Sequence, residues 1–191
     1  QGRGPIRYGV VGLGAGVMSG YARKGDYVRI YEINPIVPVI AKSEFNFFPH
    51  SEADKDILMG DARLVMEKQL AKGESPNYDV LVIDAFSSDA IPVHLLTKES
   101  FELYKKLLKP TGILAVHISN RYLDLAPVVQ RSSTVMKKHS VVSKINMQPC
   151  VTTRTRKPSS RTMTSSANGY EIFDRTMTHR SRPSDLLSKT S

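Results

Sequence analysis

Short apolar runs alternate with amphipathic stretches along the first 150 residues. IRYGVVG (6–12), YVRIYEI (27–33) and YDVLVID (78–84) are rich in β-branched and aromatic residues. Near-continuous apolar runs of this kind are what parallel sheets bury on both faces. ILMGDAR (57–63), GILAVHI (112–118) and SVVSKINM (140–147) read as three further strands. Helical periods lie between them. RLVMEKQLAKG (63–73) spaces Leu64, Val65, Met66 and Leu70 along a helix and stops at Gly73. In TKESFELYKKLLK (97–109), Phe101, Leu103, Tyr104, Leu107 and Leu108 form one stripe, ended by Pro110-Thr111-Gly112. Another helix is predicted from Leu123 to about Lys138, and a short one after Pro35, curtailed by Pro38.

Strands that alternate with helices imply right-handed crossovers and an α/β fold with a doubly wound, mostly parallel, Rossmann-like sheet. Ligands of such sheets bind beyond the carboxyl ends of the strands. The strand tips are therefore the first place to look for chemistry. Beyond Cys150 the pattern ends. Residues 151–191 contain 16 Ser and Thr, and only YEIF (170–173) resembles a strand. The chain thus divides into a folded domain, 1–150, and a basic Ser/Thr-rich tail, 151–191, predicted to be poorly ordered.

Four strand tips carry flexible or acidic residues. The first strand runs into VVGLGAG (10–16), with Gly12, Gly14 and Gly16. Glycines there permit a tight turn and let a ligand approach the backbone closely. The pattern is GxGxG, short of GxGxxG, and a plain strand–helix connection is the alternative. Glu32 ends the second strand, 18 residues after Gly14. An acid at about that spacing accepts hydrogen bonds from ribose hydroxyls; the alternative is an exposed strand-end acid. Asp61, in GDAR (60–63), follows the third strand. Beside Ala62 it suits the exocyclic amine of an adenine, or the N-cap of the following helix, and the two roles are compatible. Asp84 ends the fourth strand, and Asp84 and Asp89 flank Ser87 and Ser88. Two carboxylates in one crevice could hold a cation or take a proton from an amine. Otherwise Asp84 caps a turn and Asp89 is solvated.

Composition narrows the classes. The 191 residues suit one domain, and the 40% hydrophobic content supplies one core. No apolar run approaches the ~18 residues that would span a bilayer. The start lacks signal-peptide layout, and one cysteine, Cys150, excludes an internal disulfide framework. A cytoplasmic protein is expected. The net charge is +9, but residues 1–150 hold 19 Lys and Arg against 15 Asp and Glu, and the tail holds 8 against 3. The tail lacks the aromatic interleaving of a nucleic-acid stacking platform, so a solvated end is expected rather than a nucleic-acid partner. His50, His94, His117, His139 and His179 are scattered without metal-ligand spacing, and no metal is expected. His117 lies within a strand and reads as a packed histidine. Neither GxSxG nor a P-loop occurs.

In order, VGLGAG, YEINP, GDAR, YDVLVIDAFSSDAIPVHLLT and HISNRYLDL resemble the spermidine synthase-like (polyamine aminopropyltransferase) family over roughly residues 6–130. The resemblance is closest to the branch of methyltransferase-domain proteins, some of them fused to membrane transporter domains. It implies a class I S-adenosylmethionine-dependent methyltransferase fold and a donor that is decarboxylated S-adenosylmethionine or S-adenosylmethionine itself. Gly12, Gly14 and Gly16 would form the nucleoside-binding turn, Glu32 would hold the ribose hydroxyls, and Asp61 with Ala62 would meet the adenine. Asp84 would be the base that deprotonates the attacking amine of a polyamine such as putrescine, and Asp89 would help bind it. A homodimer would fit the family.

The departures are specific. The family's glycine motif includes an acid that holds the donor's aminopropyl ammonium, and here Leu13 and Ala15 stand there. Its D-S-S-D-P run has the second acid three residues on; here Asp89 is five on and Ala90 follows. Its N-terminal β domain and the strands completing the sheet are not found, so truncation at both ends is expected. The expected function is aminopropyl transfer. Methyl transfer is the enzymatic alternative, and a catalytically diverged nucleoside- or partner-binding domain the other.

Overall fold

The structure is a computed structural model that describes residues 3–86, 91–118, 124–136, 140–144 and 170–173, the last two segments as backbone only. In chain order the elements are β1 (Arg7–Val11), α1 (Val17–Gly20), β2 (Tyr27–Glu32), α2 (Ile36–Ser43), α3 (Phe47–His50) and β3 (Asp54–Met59). There follow α4 (Ala62–Ala71), β4 (Tyr78–Ile83), α5 (Lys98–Leu107), β5 (Leu108–His117), α6 (Ala126–Ser132), β6 (Ser140–Lys144) and β7 (Tyr170–Phe173). Short 3-10 turns occupy Val93–Leu95 and Ser133–Val135.

The strands form one sheet in the order β3-β2-β1-β4-β5-β6-β7. Every pairing is parallel except that of β6 with β7. The chain winds outward from β1 to β3, then crosses back to β4 and winds the other way. The reversal between β1 and β4 is the switch point where doubly wound folds bind ligands. The expected α/β doubly wound, mostly parallel fold is the one observed.

Successive residues of the central strands serve opposite faces. Val11, Tyr31 and Ile83 join Met66 of α4 and Phe101, Tyr104 and Leu107 of α5 in one apolar layer. Val10, Ile30 and Val82 join Ala41 of α2 and Phe48 of α3 in the other. Both faces are covered, which explains the unbroken apolar runs. Polar atoms inside the first layer are satisfied: the Tyr31 hydroxyl donates to Gln69 Oε1 at 2.8 Å and shares a 2.7 Å hydrogen bond with Tyr78. Burial pushes the Tyr31 phenol up to about 12, and Tyr78 higher still.

The elements differ from their sequence-predicted bounds in physically simple ways. β3 begins at Asp54 instead of Ile57, with Asp54, Lys55 and Asp56 paired to Tyr27, Val28 and Arg29. It is a sheet edge, where charged side chains reach water and discourage further pairing. β5 starts directly after α5, with Leu108 opposite Tyr78, and resumes regular pairing only at Ile113 opposite Val80. In the irregular segment a Cβ on Gly112 would lie 2.9 Å from the Tyr78 carbonyl oxygen, so the backbones approach too closely for a side chain. α6 is shorter than predicted, starting near Pro127 and giving way to a 3-10 turn at Ser133. YEIF forms β7 and pairs with β6. The predicted boundary at residue 150 lies outside the described residues.

Before β2, Asp26 ties the chain's start to the sheet. It accepts two hydrogen bonds from Arg3, at 3.0 and 2.6 Å, and one each from the Ile6 and Arg23 amides, both at 2.8 Å. The Arg3 hydrogen bonds lead in pulling the carboxyl from 3.8 to about 2. A folded pKa below the unfolded one gives stability that is complete above about pH 4 and is lost as pH falls towards 2. Arg3 is partly in water, which screens the pair. Asp26→Asn is therefore expected to cost about 1–2 kcal/mol at pH 7. Urea unfolding at pH 7 and pH 3 should show the gap to wild type narrowing with acid.

Candidate functional site

The carboxyl ends of β1, β2, β3 and β4 surround a crevice of about 570 Å³ at the switch point. That volume lies within the ~300–1,000 Å³ of small-molecule pockets. Gly12, Gly14, Glu32, Asp61, Ala62 and Asp84 all line it. Gly16 belongs to the same turn, its amide donating to the Leu13 carbonyl at 2.8 Å, but it faces α3, where a Cβ would lie 2.7 Å from Phe48 Cβ. Asp89 lies outside the described residues.

Gly12 is the pivot of the turn. Its amide donates to the Tyr31 carbonyl at 2.9 Å, and the Asp84 amide donates to the Val11 carbonyl at 2.9 Å. The ends of β1, β2 and β4 are thereby stitched together. Gly12 has φ +94°, and a Cβ there would sit 2.5 Å from the Asp84 carbonyl oxygen. At Gly14 no atom lies within 4 Å of the equivalent position. The backbone there is open to the crevice, which leaves room for a ligand.

Glu32 is not an exposed strand-end acid: it is 7% exposed. Its Oε2 accepts from the Leu13 amide at 2.9 Å and its Oε1 from the Asn34 amide at 2.9 Å. The carboxylate therefore shapes the glycine turn. Two lone pairs on each oxygen leave further acceptor capacity toward the crevice.

Asp61 performs its capping role and lines the crevice as well. Oδ1 accepts from the Leu64 amide at 3.0 Å, at the N-cap of α4, while Oδ2 lies 3.1 Å from His94 Nε2. Ala62 opens α4 against the core. His94 also lines the crevice. Its carbonyl accepts from Ser100 Oγ at 2.5 Å and from Arg63 at 3.3 Å, so α4 and α5 both anchor its backbone. Nothing local in the sequence marks His94, because its partner is 33 residues away on another loop.

Asp84 stands one residue beyond β4. Its Oδ1 lies 2.6 Å from His117 Nδ1. The reading of His117 as a packed histidine is corrected: it is partly exposed at the tip of β5 and contacts Asp84. The ring of Phe86 meets the imidazole edge-on, with centroids 4.5 Å apart. The signal for this pair is register. Ile83 pairs with Val116, so the residues that follow them are neighbours. That signal becomes readable only once β4 and β5 are known to be adjacent.

The arrangement offers three kinds of chemistry. Glu32 and Asp61 can accept from the hydroxyls and amines of a nucleoside. Asp84, partly open to the crevice, can take up a proton. The acidic wall formed by all three favours a cationic ligand. Among the described residues, no three His, Cys, Asp or Glu side chains gather as metal ligands, and no helix is long and apolar enough to cross a membrane.

Comparison with known proteins sharpens this picture. No family model matches the chain. Over 116 residues it is 35% identical to a polyamine aminopropyltransferase of Vibrio vulnificus, covering 59% of this chain and 38% of that protein. Over 109 residues it is 31% identical to an N-terminal histidine N-methyltransferase of Emericella nidulans, covering 56% of this chain and 19% of that protein. The spermidine synthase of Thermotoga maritima superposes with a TM-score of 0.53 at 17% identity, over 72% of this chain and 47% of that one. The last match speaks for the fold alone. The chain spans well under half the length of the curated relatives it matches. In sequence the chain is thus similar to a polyamine aminopropyltransferase, and in fold to a spermidine synthase. Its sheet is a Rossmann-like α/β one.

Proposed function

We propose that this chain carries the nucleoside site of a cytoplasmic transferase that moves an aminopropyl group from decarboxylated S-adenosylmethionine to a polyamine such as putrescine. The observation that carries this reading is the convergence of Gly14, Glu32, Asp61 and Asp84 on one crevice. The similarity to the Vibrio aminopropyltransferase supports it. Glu32 holds the ribose hydroxyls with the acceptor capacity left beside the Leu13 and Asn34 amides. Asp61 and Ala62 meet the adenine. The acidic wall favours a sulfonium donor over its neutral product.

Asp84 completes the reaction. The amine's lone pair forms the new N–C bond as the C–S bond breaks, its electrons staying on sulfur in methylthioadenosine. The proton shed by the new ammonium passes to the Asp84 carboxylate. Removal of that proton in step with bond formation is general base catalysis. Asp89 follows in sequence as the acid that helps bind the amine.

Methyl transfer from S-adenosylmethionine is the second reading. It is favoured by Leu13 and Ala15, which stand where aminopropyltransferases keep the acid for the donor's ammonium. The same Glu32, Asp61 and Ala62 would serve that donor. The test is to incubate the chain with each donor and a panel of amines. Methylthioadenosine supports aminopropyl transfer, and adenosylhomocysteine supports methyl transfer. Heat of donor binding with neither product would leave a nucleoside-binding domain. Glu32→Ala is expected to weaken donor binding by about 1–3 kcal/mol, the cost of unpaired polar groups. Calorimetry with the preferred donor measures it.

A further inference from the structure

The proposed reaction assigns no part to His117, yet its imidazole contacts the carboxylate of the proposed base. The pair exists because β4 and β5 are parallel neighbours, with Ile83 opposite Val116 and the chain continuing to Asp84 and His117. His117 Nδ1 lies 2.6 Å from Asp84 Oδ1, close enough for a hydrogen bond between them. Phe86 sets its ring edge-on to the imidazole, at 69° and 4.5 Å between centroids, which restrains the ring's orientation.

Core packing does not account for a histidine here. The layer beneath is already closed, with Ile83 and Leu114 at 0% exposure and Val116 at 2%. The two polar side chains meet above it, 35% and 42% exposed for His117 and Asp84. Asp84 and Phe86 line the crevice, and both contact His117. A carboxylate on a single rotatable stem has two equivalent oxygens and a broad torsional well. A donor fixed on one oxygen selects a single orientation and leaves the other oxygen to the crevice.

We propose that His117 is a positioning residue for Asp84, its Nδ1–H holding Oδ1 so that Oδ2 faces the attacking amine. This rests on the reading of Asp84 as the base. The imidazole does not itself take the proton in this scheme. Its Nδ1–H supplies the hydrogen bond, and the amine's proton goes to the Asp84 carboxylate.

The test uses the whole chain with decarboxylated S-adenosylmethionine and putrescine. His117→Leu removes the donor, whereas His117→Asn keeps an amide N–H close to where Nδ1 stands. His117→Leu is expected to lower kcat about 10- to 100-fold, the scale of a misplaced catalytic group, with donor affinity by calorimetry unchanged. His117→Asn should recover most of that loss. A merely structural histidine would instead reduce donor affinity and thermal stability in both variants, with no rescue of kcat by asparagine; that result, or wild-type kcat in His117→Leu, overturns the proposal. Asp84→Asn run alongside separates the two ideas. Full turnover in Asp84→Asn sinks the base reading itself, while loss there with none in His117→Leu sinks only the positioning role. A second readout needs no turnover. Nitrogen-15 NMR should find His117 as the Nδ1–H tautomer, shifting toward Nε2–H in Asp84→Leu, and a wild-type Nε2–H tautomer overturns the proposal.

Discussion

Asp84→Asn is expected to cut aminopropyl turnover by about 10²–10⁴-fold, the usual contribution of a general base. Donor affinity should fall far less than turnover, since Glu32 and Asp61 still line the crevice and keep two of the three charges of its acidic wall. The substitution is nearly isosteric, and the fold's hold on this position runs through the backbone, where the Asp84 amide donates to Val11. Asparagine keeps that bond. What it loses is the negative charge and the ability to take up a proton. Single-turnover measurement of methylthioadenosine release, paired with donor calorimetry, separates the effects. If binding and turnover fall together, the carboxylate is part of the architecture and not the base.

Gly12→Ala should act in the opposite way, on the fold before the chemistry. A side chain at φ +94° is strained, and here its Cβ would sit 2.5 Å from a backbone oxygen of Asp84. Strain of that kind costs about 1–3 kcal/mol, and forced overlap with packed backbone about as much again. A loss of about 3 kcal/mol or more is expected in urea unfolding. Because Gly12 touches the Asp84 carbonyl, relaxation would push the turn away from the base. Donor affinity should fall even in the fraction that remains folded. Wild-type stability in this variant would show that the two strand tips are not in contact.

The sheet was legible in the sequence because its strands are apolar on both faces and punctuated by glycine and proline. Alternation with helices then suggested parallel pairing, and parallel pairing put Glu32, Asp61 and Asp84 at one edge. The one-turn helices α1 and α3 left no such trace, since four residues make no amphipathic period. The start of β3 was hidden by charges that an edge strand tolerates. Gly16 looked like its neighbours in VGLGAG, but which way a glycine faces depends on α3, and Phe48 is 32 residues distant. The two histidines were missed for the same reason. His94 and His117 acquire meaning only from partners brought near by tertiary packing, Asp61 and Asp84. The acids announced themselves by position along a strand; their companions did not.

The reversal at the sheet's centre also governs how the crevice comes into being during folding. Tyr8 pairs with Val80, so joining β1 to β4 closes a long loop before any contact there rewards it. Pairings this distant in sequence are slow to form. A nascent unit of β1, β2 and β3 would already carry the glycine bend, Glu32 and Asp61, yet would lack the wall that Asp84 supplies. A ligand that needs that wall could bind only once the second half of the sheet has docked onto the first.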